Sequence, residues 1–153
     1  MTRHCHECGA VQRDDKALSR RSAPQHRRQF KIFAALHEHW PKSHLFQPRN
    51  SEHLRYWLEV QAGHCDVIYT KQIKSVPADK LAALLTAVLS FSKDKSLFVE
   101  VDADQLVVMQ ARSISYSELP HREACRLFDA IGDVISAETG IDPEQLLKEA
   151  DAA

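Results

Sequence analysis

The sharpest chemical signal in the chain is the run His4-Cys5-His6-Glu7-Cys8-Gly9. Two thiolates three residues apart, followed by glycine, match one knuckle of a tetrahedral zinc site, where a tight turn aims both sulfurs at one metal. Cys5 and Cys8 would be two ligands, and a complete site needs two more. No second CxxC exists, so His4 or His6 would supply one and His26, His64 or Cys65 another. The competing reading is an arm with free thiols. A thioredoxin-like redox role is not expected, because no βαβ setting follows the CxxC. Zinc is the one cofactor that the residue types suggest.

The second signal is electrostatic. Arg20, Arg21, His26, Arg27, Arg28 and Lys31 form the densest basic cluster. Cations at i, i+1 and i+4 on one helix meet adjacent phosphates, a contact blind to base sequence and weakened by salt. Tyr56 is a candidate platform for stacking an unpaired base. Trp57 shares a stripe with Leu54 and Leu58, which assigns it to the core. The net charge of −1 conceals a polarity along the chain. Residues 1–50 hold ten Lys/Arg against four Asp/Glu (+6), and the remainder ten against seventeen (−7). A basic front suits a phosphate backbone or an acidic partner, while a solvated helix face is the bland explanation.

Catalysis has little to stand on. His64 precedes Cys65, but neighbours in a strand point to opposite faces, so the imidazole is poorly placed as a base for that thiol. Cys125 lies beside an apolar helical stripe and reads as structural. No GxGxxG, HExxH, GxSxG or phosphate-binding loop occurs. The acidic residues of the second half are scattered on outward helix faces, unlike the paired carboxylates of a metal-dependent nuclease.

The elements that must position these groups follow from periodicity and punctuation. Residues 1–23 read as a Cys/His-bearing basic arm, and 24–153 as a single α+β domain. Pro24 opens a helix to Trp40 whose inner face is Phe30, Phe33, Ala34, His37 and Trp40, with Arg27, Arg28 and Lys31 opposite. Ser51 caps a second helix, Glu52 to Ala62, with Leu54, Trp57, Leu58 and Gln61 inward and Gly63 as its stop. Cys65 to Ile73 reads as a strand. A third helix begins near Pro77 and buries Leu81, Leu84, Leu85, Val88 and Phe91. Leu97–Val101 and Leu106–Gln110 form a β-hairpin. A long helix with core residues Leu127, Phe128, Ile131, Val134 and Ile135 ends at Gly140, and Asp142-Pro143 starts a short last one. The expectation is α+β: four to five helices packed with a small, mainly antiparallel sheet that includes the hairpin.

At 153 residues and 44% hydrophobic content, such a domain buries roughly 70% of its unfolded surface and needs no metal or disulfide to fold. The first residues lack the apolar run of a secretory signal, and no stretch approaches the ~18 apolar residues of a membrane span. Four cysteines without such a signal point to a reducing cytoplasm.

Four stretches then acquire a joint meaning. Ser22-Ala-Pro-Gln-His-Arg-Arg-Gln-Phe30 running into Phe33-Ala-Ala-Leu36, Phe46-Gln-Pro-Arg-Asn-Ser-Glu-His-Leu-Arg55, Ala62-Gly-His-Cys-Asp66, and Ala111-Arg-Ser-Ile-Ser-Tyr-Ser-Glu-Leu119 resemble, in the same order, a family of uncharacterised bacteriophage and prophage proteins. The resemblance spans about residues 20–140. That family is in turn similar in layout to the NinB (Orf) recombination mediators of lambdoid phages. The resemblance implies binding of single-stranded DNA, a homodimer and cooperation with host single-strand binding protein. His26, Arg27 and Arg28 match the basic helix; Arg112, Ser113 and Ser115 match a Ser-rich turn suited to phosphate. The Cys/His arm replaces the longer strand-rich N-terminus usual in the family. The expected function is a non-catalytic nucleic-acid-binding accessory of phage recombination or replication in the host cytoplasm, acting on single-stranded nucleic acid or a nucleoprotein complex. The alternative is a protein–protein inhibitor of a host nuclease or of a defence complex such as a CRISPR effector.

Overall fold

A computed structural model describes residues 3–4, 11–12, 23–74, 77–115 and 118–152. Two short strands, β1 (Arg3–His4) and β2 (Val11–Gln12), pair antiparallel. They are followed by α1 (Ala23–Glu38), α2 (Ser51–Gln61), β3 (Cys65–Gln72), α3 (Ala78–Leu89), β4 (Leu97–Asp102), β5 (Gln105–Ala111), α4 (His121–Thr139) and α5 (Pro143–Ala152). The fold is α+β, with five helices among the described residues and an antiparallel three-stranded sheet ordered β3-β5-β4. None of the described helices is long and apolar enough to cross a membrane.

The chain divides into two compact units. One is discontinuous, Met1–Leu54 with Ser113–Ala153; the other, Arg55–Arg112, is inserted between its parts, and the division falls inside α2. Apart from the β1–β2 pair, the regular elements described in the discontinuous unit are helical. Its core is formed by Ile32, Phe33, Leu36 and Trp40 of α1 and the strip beyond it, Ala124, Leu127, Phe128, Ile131 and Ile135 of α4, and Leu146 of α5. α5 packs along α1 and touches α4. The buried face of α1 is rotated from the expected one. Gln25 and Gln29 are buried in line with Ile32, Phe33 and Leu36, while Phe30 is 40% exposed and Ala34 faces outward. Two glutamines inside the stripe hide its true direction from a reading of apolar residues alone.

Local punctuation works as physical chemistry requires. Asn50, not Ser51, caps α2, its Oδ1 accepting the His53 N–H at 2.8 Å. Gly63 ends α2 at φ +84, with its N–H on the Val60 carbonyl and the His64 N–H on the Glu59 carbonyl, a paired closure that needs the left-handed region. Gly140 stops α4 at φ +70, and Asp142 caps α5 by accepting the Glu144 N–H at 3.0 Å. The segment Pro41–Asn50 is tied by Trp40 Nε1 donating to the Phe46 carbonyl at 2.8 Å and by the Phe46 ring against His53. Much of the Phe46–Arg55 stretch is thus occupied in holding this turn.

In the inserted unit, β5 is the central strand, with Leu106 and Met109 buried. The hairpin forms in the expected place, tightened to a two-residue turn in which Ala103 takes φ +53. α3 packs chiefly along β4 and less on β5. The third helix departs from expectation. None of its residues is buried: Leu84 and Val88 are 60% and 58% exposed, and Phe91, in the turn just beyond it, is 91% exposed. On α2 the inward residues are Leu54, Leu58, Glu59 and Val60; Trp57 is only half-buried and Gln61 is exposed, donating to Glu100 at 2.8 Å.

Candidate functional site

The expected metal ligands Cys5 and Cys8, and the expected phosphate contacts Arg20 and Arg21, lie outside the described residues. Among the described residues no group of three or more His, Cys, Asp or Glu side chains is arranged to hold a metal. His26 is half-buried with its ring 4.5 Å from that of Phe30. His64 and Cys65 stand at the start of β3, and burial pushes the Cys65 thiol up from its ordinary value.

The basic helix meets an acidic one within its own unit. Arg28 is ion-paired with Glu144, and Lys31 Nζ bonds Asp151 at 2.9 Å, both carboxylates coming from α5. Two helices far apart in sequence, α1 and α5, are thereby brought together by opposite charge. By unit, thirteen Lys/Arg face fourteen Asp/Glu in the discontinuous part (13 − 14 = −1), and seven face seven in the inserted part (0). Arg27 remains exposed without a carboxylate partner among the described residues, as do Arg122 and Arg126, one turn apart on α4.

The other expected contact residues are also engaged. The Arg55 guanidinium lies 4.2 Å from the centroid of the Tyr56 ring, occupying a face on which a base would stack. Ser115 Oγ donates to Glu118 at 2.9 Å, and Ser113 Oγ accepts the Ser115 N–H. Hydrogen bonding by the Ser113 and Ser115 side chains holds the Glu118 carboxyl below its usual range, so the turn contains a stabilised anion. α4 begins beyond it at His121, after Pro120, with no side-chain cap. A serine turn that keeps a carboxylate charged is poorly matched to phosphate.

Two stretches of the family resemblance do come together. Cys65 pairs with Ala111, the Arg112 N–H bonds the His64 carbonyl at 3.0 Å, and Arg112 Nε and Nη2 both donate to Asp66 Oδ1, at 2.9 and 2.7 Å. Arg112 holds the Asp66 carboxyl below its ordinary value. Both side chains are exposed, so the pair fastens the mouth of the β3–β5 ladder at modest energetic cost to a competing ligand.

Two features escaped the sequence reading. Glu59 is completely enclosed; its Oε1 takes Arg55 Nη1 at 2.8 Å and its Oε2 has no hydrogen-bond partner among the described residues. Burial pushes its carboxyl from 4.5 up to about 7, against the pull of Arg55. The second feature is the bare outer stripe of α3. Its signal is visible in Leu81-Ala-Ala-Leu-Leu-Thr-Ala-Val-Leu89, a helix apolar on all sides, which calls for cover on both. In the discontinuous unit, the buried Cys125 thiol accepts from Gln25 Nε2 at 3.1 Å and lies 3.6 Å from His121 Nε2. Its enclosure keeps that thiol from any external substrate.

Comparison with protein-family models, with curated proteins and with solved structures finds no match for this chain.

Proposed function

We propose that the chain is a non-catalytic interaction protein that docks onto a partner protein through the outer stripe of α3. The observation that carries this reading is the run of exposed apolar anchors on that helix and on the turn that follows it. Leu84 and Val88 stand one turn apart on α3, and Phe91 follows in the turn just past its end at Leu89, three exposed apolar anchors of the kind by which an amphipathic helix enters an apolar groove. From Leu81 to Phe91 there is no charged residue, while Asp79, Lys80, Lys93, Asp94 and Lys95 flank the stripe. An uncharged apolar surface offers nothing to a phosphate backbone, but suits the core of a protein interface with a polar rim. The partner chemistry is therefore a hydrophobic groove on another protein. In the phage setting implied by the resemblance, host nucleases and defence complexes are the first targets to assay.

The test is capture from nuclease-treated bacterial lysate by the wild-type chain and by Leu84→Asp and Phe91→Asp. Under this reading a specific partner is retained by the wild type and lost by both variants. Capture that is unchanged by either substitution would sink it.

A nucleic-acid reading retains one specific support: the exposed Arg27, Arg122 and Arg126, which have no carboxylate partner among the described residues. It predicts binding of single-stranded oligonucleotide at low salt that falls steeply as salt rises and is lost in Arg122→Ala/Arg126→Ala.

A further inference from the structure

β3 is the second unprotected surface of the inserted unit, and it is a different kind of surface. It forms one edge of the sheet, and from Asp66 to Gln72 every residue is exposed, including Val67, Ile68 and Tyr69. The direction of its free hydrogen-bonding groups follows from two bonds at its ends. The Arg112 N–H donates to the His64 carbonyl, and the Ile73 N–H donates to the Asp104 carbonyl, so residues 64 and 73 point toward β5. Alternating inward from both ends leaves Cys65, Val67, Thr70 and Gln72 with their N–H and C=O groups aimed away from the sheet. The alternation closes only because the register slips between Val67 and Tyr69, where Ile68 is an extra residue.

That bulge selects what can pair with this edge. A regular strand would lose register across it, which is how bulges usually blunt an edge. A strand carrying the same extra residue at the symmetric place stays in register on both sides. We infer that β3 pairs antiparallel with β3 of a second copy of this chain, joining two three-stranded sheets about a two-fold axis at Ile68–Tyr69. Val67 then exchanges backbone bonds with Thr70 of the second copy, and Cys65 with Gln72 of the second copy. Asp66 stands opposite Lys71 of the second copy, and symmetry repeats the pair.

The charges fit this register. Both bonds from Arg112 fall on Asp66 Oδ1, leaving Oδ2 for an ammonium, and Lys71 has no ion-pair partner among the described residues. Directly opposed unlike charges favour a strand pair, and like charges in the same place disfavour it. The central Ile68 and Tyr69 side chains, about half exposed, would cover one another across the axis.

The inference is independent of the α3 reading, and the experiment keeps them apart. Sedimentation of the full chain over a range of concentrations is expected to show a reversible monomer–dimer equilibrium. Lys71→Glu, which opposes two carboxylates twice by symmetry, should weaken the dimer by about tenfold or more. Thr70→Pro should abolish it, because it removes an N–H that points away from β5 and leaves the internal ladder its donors. Leu84→Asp should leave the equilibrium unchanged. A wild type that stays monomeric at every concentration overturns the inference. So does a dimer that survives Lys71→Glu and Thr70→Pro, and so does one dissolved by Leu84→Asp alone, which would put self-association on α3.

Discussion

The two units of this chain are built to different standards of enclosure. Among the described residues the discontinuous unit holds fifteen of the buried apolar side chains and the inserted unit four. The large apolar residues left exposed divide the other way, Phe30 and Leu45 in the first against seven in the second. The difference does not come from a shortage of apolar residues, since α3 is the most hydrophobic of the described helices. It comes from geometry. A 58-residue unit (55–112) with one helix laid along two strands cannot cover both sides of that helix and a third strand as well. In the discontinuous unit α1, α4 and α5 cover one another, and polar groups line the outside. Surplus apolar surface in the inserted unit is the physical reason to look there for partners.

The contrast can be tested most forcefully by truncating equivalent rings. Phe33→Ala, in the packed core, is expected to cost about 3–5 kcal/mol, whereas Phe91→Ser should change stability by less than about 0.5 kcal/mol. Urea unfolding monitored by the tryptophans measures both. Equal losses at the two positions would erase the distinction.

A smaller effect probes Glu59, a fully enclosed carboxylate of the inserted unit. The folded chain raises the Glu59 carboxyl from 4.5 to about 7, so the native state holds a proton that the unfolded chain releases in that interval. The stability linked to this proton is full below pH 4.5 and is lost as pH rises to about 7. Glu59→Gln, neutral throughout, should therefore gain on the wild type as pH rises, by up to about 3 kcal/mol at pH 8, with no gain near pH 4. Melting curves across that range decide it, and a pH-independent difference would show that folding leaves the Glu59 carboxyl at its unfolded value.

Next in size is the hairpin turn. Ala103 sits at φ +53, a region costly for a residue with a Cβ. Ala103→Gly should stabilise the inserted unit by about 1 kcal/mol, visible as slower hydrogen exchange in β4 and β5. The smallest expected effect belongs to the surface of the packed unit. A double-mutant cycle on Arg28 and Glu144 should return a coupling of about 0.5 kcal/mol that shrinks with added salt. A much larger value would mean that α5 is held to α1 by charge and not by Leu146 and its neighbours.

How far the sequence could be read depended on the range of the interactions involved. Helix stops at Gly63 and Gly140, the Asp142-Pro143 start and the hairpin were legible because each is set within a few residues by backbone sterics and capping. The candidate site was much less legible. The cations of α1 looked like a presented surface because their partners, Glu144 and Asp151, lie more than a hundred positions away. Arg112 looked available because Asp66 is forty-six positions upstream. The stacking of Arg55 on Tyr56 was illegible even between neighbours, since helix periodicity says nothing about where a long side chain lies.

Two outcomes mark the boundary. The residue pattern alone determined an α+β chain with these helices, a strand from Cys65 and the hairpin, because local geometry and hydrophobicity are properties of short segments. Only the tertiary structure decided that Arg28 and Lys31 of α1 are matched by carboxylates of α5, that Glu59 is sealed in, and that α3 and β3 are left uncovered. Those depend on which segments meet, and distant charges and faces are assigned their partners only when the chain closes on itself.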